Sequence, residues 1–219
     1  MKKKLSRTTR LGLTILMLLA LAPATTATAA GLDSQAEQLL WPSCNYRTHV
    51  QNIGWQAWKS GGQTSGTSGQ SLRLEAIEIT VNDQGADLGV EYQTHVQNIG
   101  WQEFKYDGQT SGTAGQSLRL EAIRISLTGS DAALFDVYYR VHAQNLGWLG
   151  WAKNGDSAGS AGFGYRLEAI EIVVVPHGAA APGSTLRPFV SIYNMGLAQT
   201  QEQNYYDVDT LRWVYGSAY

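Results

Sequence analysis

The sequence predicts an all-β protein made of three tandem units of about 46 residues, followed by a strand-like tail. Three observations carry that prediction. The stretch THVQNIGWQ stands at Thr48–Gln56 and again, letter for letter, at Thr94–Gln102, with a looser VHAQNLGWL from Val141 to Leu149. Cys44–Val81 laid over Val90–Leu127 without a gap gives 27 identities in 38 positions, and His49, His95 and His142 recur at intervals of 46 and 47 residues. The opening stretch of each unit alternates apolar and polar residues with period two, and no helix-period pattern appears in the repeats. A fixed period in this range marks units that cannot bury an apolar face alone. Pseudo-threefold closure, as in a β-prism or a β-trefoil-like fold, would remove free sheet edges. A linear stack of three units is the alternative.

The chain starts with a basic head (Lys2, Lys3, Lys4, Arg7, Arg10), the apolar run Leu11–Leu21 and a small-residue stretch containing Ala27-Thr28-Ala29. That is the layout of a secretory signal peptide over residues 1–30, cleaved near Ala29 or Ala30, and the run is short for a membrane span. The expectation is a secreted, extracellular protein without membrane insertion. Five of the 16 basic residues fall in the leader, leaving 11 against 18 acidic ones, a formal charge of −7. Such a surface repels phosphate backbones and anionic lipid, which argues against a nucleic-acid partner. Residues 31–43 form a lead-in; the units are 44–89, 90–136 and 137–176. Residues 177–184, rich in Ala, Gly and Pro, look like a linker, and 185–219 form a C-terminal segment with strand-like alternation.

Within each unit the opening strand places Cys44, Tyr46, Thr48 and Val50 on one face, with equivalents Val90, Tyr92, Thr94, Val96 and Val137, Tyr139, Val141, Ala143. This face points to the core, so Cys44 reads as a small buried apolar residue. The three histidines take the opposite, polar face. The Gly-rich middles GQTSGTSG, GQTSGTAG and GDSAGSAG demand unusual backbone angles or close chain approach. No Lys-Ser/Thr pair and no helix follows them, so a nucleotide cradle is the poorer reading. In the closing strands (LRLEAIEI, LRLEAIRI, YRLEAIEI) the apolar phase slips at Ala76, Ala122 and Ala169, which predicts a bulge or bend at each. Glu75, Glu121 and Glu168 lie two residues after an arginine, an arrangement suited to a local structural ion pair.

These motifs together, H-V-Q-N-x-G-W, an aromatic three residues on, G-x-x-x-G-[TS]-x-G and R-L-E-A-I-x-I, resemble the ChW repeat, the clostridial hydrophobic repeat with conserved tryptophan of exported proteins in Gram-positive bacteria. The resemblance covers Cys44 to Val174. It implies a secreted or surface-associated protein engaged in binding at the cell surface, and carries over no catalytic role.

Triplication bears on the chemistry. A nucleophile, base and orienting acid need assembling only once, whereas every candidate here is copied three times, and no catalytic residue is assigned. A hydrolase acting on extracellular polysaccharide or peptide remains the alternative, with carboxylates converging from separate segments. Three histidines on one axis could form a His₃ zinc site, but their place on the polar face points them away from it. Neither a metal nor another cofactor is expected. The reading preferred from sequence is a non-catalytic multivalent module that binds carbohydrate, a polysaccharide in particular, or a cell-surface protein. Its candidate contacts are His49, Gln51, Asn52 and Trp58; His95, Gln97, Asn98 and Phe104; and His142, Gln144, Asn145 and Trp151. Imidazole and amides supply directional hydrogen bonds and the rings a flat apolar face. The same His, Gln and Asn residues could instead cap backbone and shape turns. Trp55, Trp101 and Trp148, each after a turn glycine, read as structural.

Overall fold

The computed structural model describes residues 41–192. Unit 1 contains β1 (Ser43–Val50), β2 (Gly54–Trp55), β3 (Lys59–Ser60), β4 (Ser65–Gly66) and β5 (Leu74–Asn82). Unit 2 contains β6 (Gly89–Val96), β7 (Gly100–Trp101), β8 (Lys105–Tyr106), β9 (Ser111–Gly112) and β10 (Leu120–Thr128). After a short 3-10 turn at Ala132–Leu134, unit 3 contains β11 (Phe135–Ala143), β12 (Gly147–Trp148), β13 (Ala152–Lys153), β14 (Ala158–Ala161) and β15 (Leu167–Pro176). The tail adds β16 (Phe189–Ser191). The described chain is thus all-β and threefold repeated. No described helix is long and apolar enough to cross a membrane.

Each unit is built on an antiparallel pair of its two long strands, β1 with β5, β6 with β10 and β11 with β15. The short strands after the Trp turn fold back on the opening strand. The units are joined by the Gly-rich strands, each pairing with the closing strand of another unit: β9 with β5, β14 with β10, and β4 with β15. The hand-off therefore runs from unit 3 back to unit 1, while the sheets themselves are three separate, open ones.

Parity determines the core. Cys44, Tyr46 and Val50, with Val90, Tyr92, Val96, Val137, Tyr139, Val141 and Ala143, are fully buried and pack against Leu74, Ile77, Ile79 and their counterparts. Burial pushes the Cys44 thiol up to about 12, with the negative charge of Asp107 adding to the effect. The core tyrosines tie units together. Tyr46 Oη accepts from Ile172 N–H of unit 3 and Tyr92 Oη from Ile79 N–H of unit 1, both at 3.1 Å. Each of the three hydroxyls donates to a loop carbonyl of its own unit, at Gln63, Gln109 and Asp156.

The Gly-rich strands have little choice of residue. Gly66, Gly112 and Gly159 have φ of +115°, +109° and +121°. A Cβ at Gly112 would collide with the Glu75 carbonyl oxygen and lie 2.7 Å from Ala76 Cα, and its two counterparts meet the same obstruction. Here glycine serves both a backbone conformation closed to other residues and the close approach of two chains.

Candidate functional site

The phase slip in the closing strand is a β-bulge. His49 faces Ala76 and Val50 faces Leu74, leaving Glu75 as the extra residue, with the same shift beside His95 and His142. A bulge re-aims its side chain, and here it turns Glu75 toward the histidine side. Glu75 Oε1 pairs with Arg73 at 2.7 Å, while Oε2 lies 3.2 Å from His49 Nδ1 and accepts from Gly115 N–H of the next unit at 3.0 Å. Glu121 and Glu168 repeat the contacts, with Arg119 and Arg166 at 2.8 Å and with His95 and His142 at 3.1 Å. The imidazoles approach within ion-pair distance but off the line of an aligned hydrogen bond. Each also makes a T-shaped contact with a tryptophan, with ring centroids 5.5–5.6 Å apart for His49–Trp55, His95–Trp101 and His142–Trp148. These histidines are half-buried pieces of an Arg–Glu–His–Trp stack, and among the described residues no group of His, Cys, Asp and Glu is arranged to hold a metal ion.

The neighbouring polar candidates shape the turn. Asn52, Asn98 and Asn145 are exposed and left-handed, with φ of 63°, 62° and 63°, a conformation asparagine tolerates. Gln51, Gln97 and Gln144 send their N–H groups to the carbonyls of Arg73, Arg119 and Arg166 at 2.9–3.0 Å, extending the ladder past the bulge.

The aromatic candidates separate the units. Trp58 is 44% and Phe104 39% exposed. Trp151, expected from sequence to be a surface contact like them, is instead buried at 6%. Its backbone N–H donates to the Ser184 carbonyl at 2.9 Å, and Gly183 packs against the indole.

A cation stacks on the other tryptophan of every unit. Arg47 lies between Trp55 and Trp58, 4.9 Å from each ring centroid, and Arg140 between Trp148 and Trp151 at 4.7 and 5.0 Å. Unit 2 has Gln93 at the equivalent opening-strand position, and the guanidinium comes from the cross-strand partner Arg124, 4.3 Å from Trp101. Units 1 and 3 anchor their arginines on Glu78 and Glu171 at 2.7 Å. The cation-on-indole arrangement thus persists although its strand of origin changes.

Two features carry no periodic signal. Gln56 Oε1 accepts from Gly66 N–H at 2.6 Å and Gln102 Oε1 from Gly112 N–H at 2.7 Å, so a side-chain amide covers the edge of β4 and of β9. Unit 3 has Leu149 at that position. At the start of β11, Asp136 is fully buried among Lys153 (2.9 Å), Asn154 (2.7 Å), His177 (3.2 Å) and Gly178 N–H (2.8 Å). Burial alone would raise its carboxyl, but Lys153 and the other donors outweigh that and hold it well below the usual carboxylate range. This cluster clamps the chain where it leaves β15.

Comparison with family models matches residues 49–83, 95–129 and 142–176 to the family described as Clostridial hydrophobic W. Comparison with curated proteins and with solved structures gave no match.

Proposed function

The chain is a ChW-repeat protein with three units, and from that premise we propose that it is a non-catalytic, multivalent binding module acting outside the cell. The observation that carries this reading is the pair of exposed rings at equivalent positions, Trp58 and Phe104, each three residues after a guanidinium-stacked tryptophan. A flat apolar face beside charged and amide groups suits the faces and hydroxyls of a sugar ring, so carbohydrate is the ligand class favoured here. A cell-surface protein is the second reading, favoured by Ile53 and Ile99, two further large apolar side chains that lie more than half exposed at equivalent positions. Two linked weak sites raise avidity by about 10²–10⁴ when both engage one polymer. The leader-like N-terminus supports an extracellular setting. The return of strand pairing from unit 3 to unit 1 supports pseudo-threefold, prism-like closure over a linear stack.

Glycan-array and pull-down binding of the mature chain, repeated with Trp58→Ala, Phe104→Ala and the double variant, tests the site. Each single change is expected to weaken binding to an immobilised polymer at least 10-fold, and the double change to abolish it. Saturable binding untouched by all three would overturn the assignment.

A further inference from the structure

Unit 3 differs from its two sisters where the tail crosses it. Leu149 replaces Gln56 and Gln102, so among the described residues no side-chain amide covers the β14 edge, and Gly159 N–H donates instead to the Pro188 carbonyl at 2.9 Å. Beyond that bond the tail continues as β16, parallel to β14, with Gly159, Ser160 and Ala161 facing Phe189, Val190 and Ser191. Gly150 replaces Ala57 and Glu103. A Cβ there would collide with the Leu186 carbonyl oxygen and lie 2.9 Å from its carbonyl carbon and its nitrogen. Trp151 receives Ser184 and Gly183 as described above, and Gly162 leaves room for the Ile192 side chain, which would come within 2.7 Å of a Cβ.

The departures at Leu149 and Gly150 act together; Trp151 and Gly162 stand where the sister units carry Trp58 and Phe104, and Gly69 and Gly115. Units 1 and 2 close the edge with an amide and fill the backbone channel with a Cβ; unit 3 opens both and receives an extended segment, anchored by Val190, which is 6% exposed. Adding a strand to a free sheet edge is a standard mode of peptide recognition, in which main-chain bonds hold the ligand and alternate side chains select it.

We propose that the Leu149–Trp151/β14 groove of unit 3, filled here by residues 183–192 of its own chain, also takes the same segment from a second copy, recognised by its pattern of small residues over the indole followed by Pro-aromatic-β-branched. Every copy carries both groove and segment, so two copies can exchange segments reciprocally and close as a swapped dimer. In the intact chain the Asp136 clamp at His177 and Gly178 holds the segment beside its own groove. Its effective concentration there is of order mM, which favours the internal contact.

Two complementary full-length variants test this. Val190→Asp unseats the tail and leaves the groove intact; Leu149→Gln with Gly150→Ala closes the groove and leaves the tail intact. Each alone is expected to keep its sheets by far-UV circular dichroism, to run as a single chain in light scattering, and to show red-shifted tryptophan emission as Trp151 is uncovered. Mixed, they should form a 1:1 complex of twice the mass. A synthetic peptide of residues 183–192 should bind the Val190→Asp chain at least 10-fold more tightly than a scrambled peptide does. Red-shifted emission in both variants without complex formation would overturn exchange. Unchanged emission in either would overturn the assignment of those residues to tail docking, and equal binding of the scrambled peptide would overturn selectivity.

Discussion

Replacing Tyr92 with phenylalanine removes a single oxygen from a side chain with no solvent exposure. That oxygen accepts from Ile79 N–H in the preceding unit at 3.1 Å and donates to the Gln109 carbonyl in its own. The ring and its packing stay, so the cost is that of the groups left behind. A buried donor without a partner costs about 1–3 kcal/mol, and Ile79 lies wholly inside. Gln109 is exposed, so its carbonyl recovers part of its loss from water. One full penalty and one partial penalty give about 2–4 kcal/mol, a sizeable part of the roughly 5–15 kcal/mol that holds a domain together. The melting temperature should fall by roughly 4–16 °C. Urea unfolding of Tyr92→Phe followed by tryptophan emission measures the loss directly. Tyr106→Phe, at a site 47% exposed, serves as the control and should stay within about 0.5 kcal/mol of the parent. If Tyr92→Phe also stays within that margin, the hydroxyl does not couple the units and the reasoning fails.

Gly112→Ala should destabilise by about 2–4 kcal/mol, since the added methyl both strains a φ of +109° and presses on the backbone at Glu75 and Ala76. Gly100→Ala, with φ +88° and open space around it, should cost only about 1–2 kcal/mol in the same unfolding assay, and equal losses at both positions would show that packing adds nothing. Asp136 gives a pH dependence. Its folded carboxyl titrates below its ordinary value of 3.8, so the unfolded chain takes up the proton first as pH falls. Its contribution is therefore complete above about pH 5 and is lost as pH drops through 3.8 toward the folded value. Asp136→Asn should be less stable at pH 7 and lose less between pH 5 and pH 3, as urea midpoints at those pH values would show; an unaltered slope would place the acid sensitivity elsewhere.

Much of this architecture could be read from periodicity. Alternation alone placed Tyr46, Tyr92 and Tyr139 inside, and the slip at Ala76 marked the bulge, because burial writes itself into a sequence with the period of the backbone. Alternation also put His49 on the polar face, yet the bulge brings Glu75 to that same side, so polar did not mean free. Gln56 and Gln102 show where periodicity stops helping: an amide that bonds a glycine N–H ten residues away looks like any surface glutamine. The departures at Leu149 and Gly150 were visible as letters, but their meaning depends on a segment some 35 residues later in the chain. Trp151 was misplaced for the same reason, since a local motif cannot report what a distant stretch lays over it.

The pairing of β4 with β15 has a consequence for the order of assembly during synthesis. Ser65 and Gly66 meet Ile170 and Ala169, about 100 residues downstream. At roughly 5–20 residues per second, a growing chain holds that partner strand back for about 5–20 s after β4 is made. Through that interval Gln56 can shield one side of β4, while the other waits for a strand not yet made. A fragment ending before Leu167 lacks the last stitch altogether. Completion is therefore delayed to the end of the third repeat, and any factor that stalls synthesis earlier exposes the same unpaired edge each time.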